Sequence, residues 1–279
     1  MSETAVTIIR PQSGLRLDLG VFWRCRDLLW SFVRRDVKVR YQQTVLGPLW
    51  LVIQPLMMSG ILTAVMHSVA GLKTNGHPLL FYFSAIILWQ YFSQAVSSIS
   101  QVFVVNEYLF SKVYFPRIVV PASIVLANAI GLAIQVVPFF LLMAALAAFG
   151  QFHPSLERIW MMPVALIELI AAALGFGLIV ASSAAKYRDL ANATPFLLQA
   201  GMFVTPVLFP LAAYPESVRL ALAFFDPLSI ICEIWRSGAL GGAGVTLLEF
   251  GLASLSTLTV VLVGIMLFQR VERTAADTI

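Results

Sequence analysis

Apolar residues in this chain gather into long blocks separated by short polar stretches, and the blocks set the expected elements. An α-helix rises about 1.5 Å per residue, so some twenty apolar residues in a row match the ~30 Å of a hydrocarbon layer. The pattern predicts six spans, at about 46–69, 79–102, 118–149, 159–185, 196–214 and 246–268. Pro48 falls near the start of the first span, where a missing N–H costs little, whereas Pro55 sits inside it and predicts a kink. Pro121 and Pro138 lie in the long third span, which must tilt or bend, and Pro206 and Pro210 interrupt the fifth.

Between these blocks the pattern changes character. At 100° per residue, the stretch 21–41 puts Arg24, Asp27, Ser31, Arg34, Arg35 and Lys38 on one face, with Phe22, Cys25, Leu29, Phe32, Val33 and Val37 opposite. It predicts an amphipathic helix lying in the membrane interface after a polar tail at 1–20, with membrane lipids as its partners. Residues 104–117, with Asn106, Glu107, Lys112 and Arg117, are too polar to span and predict a short surface helix between spans two and three. Two charged helical pieces, 216–225 and 228–238, meet at Asp226 and Pro227. Neither can cross alone, and a re-entrant hairpin that keeps both ends on one side fits them. The fold class is therefore all-α integral membrane, with a six-span domain at 46–268 and a closing tail at 269–279.

Composition agrees: 59% of the 279 residues are hydrophobic and 11% charged, against about 25% charged in soluble domains. Mean hydropathy is +0.88. The first forty residues carry charge throughout, and no cleavable signal peptide is expected. The net charge of +4 does not point to nucleic acid, because most basic residues flank apolar blocks. With six spans and the hairpin on the outside, fourteen of the eighteen lysines and arginines fall on the cytoplasmic side. The four outside are Lys73, Arg158, Arg219 and Arg236. Both termini are then cytoplasmic, and Cys25 and Cys232 lie on opposite sides and cannot pair.

No phosphate-binding loop of the G-x-x-x-x-G-K-[ST] type occurs, and no nucleophile-elbow, zinc-protease or C-x-x-C pattern. His67, His77 and His153 stand apart near span ends without metal-ligand spacing. No catalytic residue, metal or cofactor is assigned to the chain. Glu168, about ten residues deep in span four, reads as an acid hydrogen-bonded within the bundle. Amides and aromatics inside spans suit a path for sugars, since rings stack on sugar faces and amides bind hydroxyls. Trp50, Gln54, Trp89, Gln90, Tyr91, Phe92 and Gln94 are the candidates. The competing readings are an exporter of a lipid or drug-like amphiphile and, from another class, a membrane enzyme acting on lipid-linked sugars. The enzyme would need a clustered His, Asp or Ser set that the sequence does not assemble.

Four separated stretches, RRDVKVRYQQTVLGPLWLVIQPLMM, NEYLFSKVYFPRIVVP, KYRDLANATPFLLQAGMFVTPVLFP and FDPLSIICEIWRSGALGG, resemble the membrane subunit of polysaccharide-exporting ABC transporters. These are the O-antigen, capsule and teichoic acid exporter permeases of the bacterial inner membrane. The first stretch is closer to the O-antigen type. Asp226 departs from the Asn-Pro pair common in the family. The resemblance implies a homodimer with two copies of an ATP-binding subunit that holds ATP and Mg, and a lipid-pyrophosphate-linked polysaccharide as substrate. It further implies that Glu107, Tyr108, Lys112 and Arg117 couple to the ATPase. Arg34, Arg35 and Arg40 would attract the pyrophosphate at the entrance, and the hairpin with Arg219, Asp226, Pro227 and Arg236 would gate the outer mouth.

Overall fold

The computed structural model describes residues 19–42, 47–69, 71, 74, 76–112, 115–153, 157–242 and 244–276, which form helices joined by turns. The expected tail at 1–20 lies almost wholly outside the described residues, as do Lys73 and the side chain of Lys112. Helix α1 (Leu19–Arg24) leads into α2 (Arg26–Tyr41). After a turn at Gly47–Leu49 come α3 (Trp50–Leu62), widening into a π-helical stretch at Thr63–Val69, and α4 (Pro78–Ser100). Two short helices follow, α5 (Val102–Val105) and α6 (Glu107–Lys112), then the long α7 (Val119–Ala148) and α8 (Met161–Lys186). The chain continues through α9 (Arg188–Gly201), α10 (Glu216–Phe225) and α11 (Pro227–Leu240) to α12 (Leu247–Ala276).

Among the described residues, five helical segments are long and apolar enough to cross a membrane: 47–67, α4, α7, α8 and 247–273. They match five of the six expected spans. The stretch expected as span five is not one continuous helix. It begins earlier, as the 14-residue α9, stops at Gly201, and passes through turns to a single 3-10 turn at Leu211–Ala213. Pro206 and Pro210 lie in the broken part, where neither can donate an N–H.

Helix α4 is the axis of the bundle. Every residue from Leu80 to Trp89 is buried, as expected of a helix apolar all round, and α3, α7, α8, α9 and α11 pack against it. Helix α3 is peripheral and buries only Pro55, Ser59 and Leu62, a single stripe. The closest approach is between α8 and α12. A Cβ on Gly264 would lie 2.6 Å from the carbonyl oxygen of Gly175, and one on Gly175 would lie 2.8 Å from the backbone nitrogen of Val261. Two backbones touch there because neither carries a side chain. Ser254 of α12 donates a short hydrogen bond to Glu168 of α8, so the deep acid is held within the bundle as the sequence predicts.

Helix α11 is buried along its whole length, from Pro227 to Leu240, although it contains Glu233 and Arg236. At fourteen residues it is about 21 Å long, too short to cross. Its C-terminal part lies against the start of α8, since Gly238 abuts Met162 and the Arg158 carbonyl. Helix α10 runs beside α12, with Arg219 2.6 Å from Glu249 near the start of α12 and the Phe224 carbonyl accepting from Ser256 two turns further along.

The N-terminus of α12 is a capping box. Thr246 Oγ1 accepts the Glu249 N–H at 3.3 Å, and Glu249 Oε2 accepts from the Thr246 backbone N–H at 2.8 Å and its hydroxyl at 2.9 Å. Thr246→Ala is expected to lower stability by about 1 kcal/mol. A thermal melt in detergent checks this, and an unchanged midpoint would remove the cap from the account.

Candidate transport groove and its two ends

Glutamines at i and i+4 share a helix face, so Gln90 and Gln94 of α4 point the same way, with Ser97 one turn further. On α7 the same logic aligns Asn128 and Gln135, seven residues apart. These faces meet in a groove of about 590 Å³ that also takes in Arg40, Gln54 of α3, Trp89, Tyr91 and Gln199 of α9. Gln54, Gln94 and Gln199 are exposed, and Gln135 Oε1 is buried with no protein partner. A groove wall of amides at the depth of apolar spans offers donors and acceptors where lipid offers none.

A second groove of about 610 Å³ continues from the first and shares Arg40, Gln94, Ser97 and Asn128 with it. It reaches Arg35, Asp36, Gln101 and Asn106, so a polar track runs from α2 into the bundle. Arg35 is paired with Asp36 at 2.8 Å. Arg34 lines neither groove and instead lies 5.6 Å over the Trp30 ring. Of the residues expected to face sugar, Gln54, Trp89, Gln90, Tyr91 and Gln94 come together. Trp50 is exposed near the start of α3 and outside the groove, and Phe92 turns the other way.

Phe92 belongs to a third, apolar cavity of about 470 Å³ between α4, α8, α9 and the α10–α11 turn. Its walls include Phe176, Val180, Leu198, Val204 and Phe225, with Thr205 and Asp226 at the polar margin. Trp89 lines both this cavity and the amide groove, and its ring stands 5.9 Å from Phe92, which stands 5.6 Å from Phe176.

The family model of the ABC-2 type transporter matches residues 27–240. The chain belongs to that family. The O-antigen export system permease protein RfbA of Klebsiella pneumoniae is 25% identical over 266 residues, covering 94% of this chain and 98% of the relative. The protein of the same name from Myxococcus xanthus is 28% identical over 207 residues, 74% of this chain and 77% of the relative. The polysialic acid transport protein KpsM of Escherichia coli is 24% identical over 249 residues, 85% and 91% of the two chains.

In this ABC-2 type transporter chain the α6 end of the bundle is knit by aromatic rings. Phe32 of α2 meets Phe115 at 5.9 Å, Phe115 meets Phe110 at 6.0 Å, and Phe110 meets Phe103 at 6.0 Å. Phe103 stacks on Phe268 of α12 at 4.9 Å with 28° between the planes. Glu107 and Tyr108 are strongly exposed, Glu107 being 3.9 Å from Arg188 across the loop before α9. Arg117 lies 5.3 Å over the Phe110 ring, and its backbone N–H donates to Glu272 of α12 at 3.0 Å.

At the other end, Arg219 lies in α10, Asp226 and Pro227 at the turn, and Arg236 in α11. Arg236 is 2% exposed and donates to the Pro206 carbonyl at 2.7 Å and the Val207 carbonyl at 3.0 Å. Its guanidinium lies 3.6 Å from the centre of the Phe81 ring and 4.0 Å from Glu233. It binds the broken stretch after α9 to the core. Arg219 pairs with the buried Glu249, and Asp226 and Pro227 form the turn into α11, with Asp226 Oδ2 buried and without a protein partner. The sequence reading missed Glu249, whose signal was the T-x-x-E spacing from Thr246. His77 precedes α4, and burial, aided by the nearby His67, pushes its imidazole below the ordinary histidine range. Among the described residues no three His, Cys, Asp or Glu side chains are grouped to hold a metal ion.

Proposed function

We propose that this chain is the permease subunit of an ABC exporter that moves a lipid-linked polysaccharide of the O-antigen kind across the bacterial inner membrane. The observation that carries the reading is the amide-lined track from Arg35 and Arg40 to Gln90, Gln135 and Gln199. The family match and the printed names of the relatives, O-antigen and polysialic acid exporters, support the substrate class.

In this reading the chain crosses six times, residues 188–214 being the fifth, broken crossing. Contacts support it: Arg188 lies by Glu107 at one end, while Pro206 and Val207 bond to Arg236 beside Phe81, near the start of α4. Helices α10 and α11 then form a re-entrant outer hairpin whose turn at Asp226 lies beside Phe176 and Phe92, well inside both spans. Helix α2 lies in the interface, both termini are cytoplasmic, and Arg35 and Arg40 attract the pyrophosphate. Arg34, held on Trp30 outside the track, would act only on approach.

The amide track is open on one side in a single chain, and exposed glutamines at span depth are costly against lipid. A second copy facing it would close a polar conduit, which supports a homodimer. Two ATP-binding subunits, carrying ATP and Mg, would dock on the exposed Glu107 and Tyr108 with Lys112 and Arg117 beside them. The apolar cavity favours the second reading, a small-amphiphile exporter, because it suits a hydrocarbon tail without a glycan.

Depletion of the chain in its native cell, with lipid-linked glycan quantified inside and at the surface, tests the assignment. Accumulation inside with loss outside is expected. Replacing the chain with Gln90→Leu/Gln94→Leu should cut surface glycan roughly tenfold while the assembled complex still hydrolyses ATP. Unchanged glycan with another lipid building up would favour the amphiphile.

A further inference from the structure

Phe268 and Glu272 are one turn apart on the same face of α12, and both hold the segment between α4 and α7. Phe268 stacks on Phe103 of α5, and Glu272 accepts the backbone N–H of Arg117, two residues before α7 begins. Between those two points the aromatic series Phe103, Phe110 and Phe115 fills the interior of the segment. A stacked pair and a charge-assisted bond to a backbone N–H fix position more tightly than side-chain packing alone. The last helix therefore grips the surface segment at both of its ends. That helix touches α8 backbone to backbone at Gly175 and Gly264, and its far end is locked to α10 by Arg219 and Glu249.

We propose that Glu272 is a positioning residue that makes α12 the rod carrying movement from the α5–α6 segment to α10 at the opposite end of the bundle. This rests on the reading of α6 as the docking point of an ATP-binding subunit. Movement of α6 then pulls on Arg117 and Phe103, α12 follows through Glu272 and Phe268, and α10 follows through Glu249. The part of α4 from Leu80 to Trp89 is packed on every side and is not needed as the carrier.

The test uses the permease assembled with its ATP-binding subunit in lipid vesicles. A fluorophore is placed through Leu247→Cys, at the 90% exposed first residue of α12, on a Cys25→Ser background, Cys232 being sealed in the core. A non-hydrolysable ATP analogue should change the label's signal in the otherwise native chain. In Glu272→Ala the change should shrink about fivefold at unaltered nucleotide affinity. Glu272→Gln keeps an oxygen that can accept the Arg117 N–H and should restore most of the change. Should Glu272→Ala fail to assemble, Phe103→Leu, which removes the stack on Phe268 together with the 6.0 Å ring contact to Phe110, is expected to give the same loss. The proposal is overturned if Glu272→Ala keeps the native signal, if Gln rescues no better than Ala, if Phe103→Leu responds as the native chain does, or if the native label ignores the nucleotide. Glycan movement is followed in the same vesicles. A label that responds while no glycan moves removes the polysaccharide reading and leaves the rod in place.

Discussion

Arg236→Met should remove most folded protein, with a loss of about 3–5 kcal/mol. The side chain is 2% exposed and has three duties: it bonds two carbonyls, Pro206 and Val207, covers the Phe81 ring, and balances Glu233. Methionine fills much of the volume but leaves two carbonyls and a buried acid unanswered. The broken stretch after α9 keeps only single turns of its own, such as the Thr205 N–H to Gly201 carbonyl bond at 3.0 Å and the 3-10 turn at Leu211–Ala213, so it should come away from the core. A melt in mild detergent and recovery as a single species on size exclusion measure the effect. Adding Glu233→Gln should recover part of the loss, because the uncompensated acid disappears while the carbonyls stay unpaired. An Arg236→Met chain that melts where the native one does would show that the guanidinium is not what holds the stretch.

Gly264→Val is expected to be nearly as damaging, for a steric reason. Its Cβ would meet the Gly175 carbonyl oxygen at 2.6 Å, and backbone cannot swing aside as the end of a side chain can. Helices α8 and α12 must separate, at a cost of about 1–3 kcal/mol or more, and the bond from Ser254 to Glu168 should stretch with them. Gly251 is the control on the same helix, since a Cβ there meets nothing within 4 Å. Gly251→Ala should be neutral or slightly stabilising, by up to about 1 kcal/mol, from helix propensity. If both substitutions shift the melting midpoint equally, close backbone contact is not what joins the two helices.

These two sites differ in how visible they are before the fold is known. Five spans could be read from apolar runs because each run is as long as the layer it matches. The broken stretch could be suspected from Pro206 and Pro210, but its helical end at Gly201 could not, since Gly is also tolerated within apolar helices. Gln90 and Gln94 declared a shared face by their spacing. Asn128, Gln135 and Gln199 joined them only through the packing of α7 and α9, which no local pattern encodes. Arg236 is placed at an outer mouth only by the family resemblance, and no local pattern shows that it is buried. Its burial depends on carbonyls thirty residues earlier in the chain. The grip of Glu272 on Arg117 spans 155 positions and is equally silent in the sequence.

The sealed position of α11 also constrains the order in which the molecule can be assembled. A segment with an arginine and a glutamate does not rest stably in hydrocarbon by itself. Its walls include α4 and α8, made before it, and α12, made after it. Synthesis order and packing order therefore differ. If α11 enters as a re-entrant piece, the enclosure of Glu233 and Arg236 is complete only once α12 has joined α4 and α8 around it. A chain cut short before α12 would leave the fourteen consecutive buried residues of α11 without one of their walls.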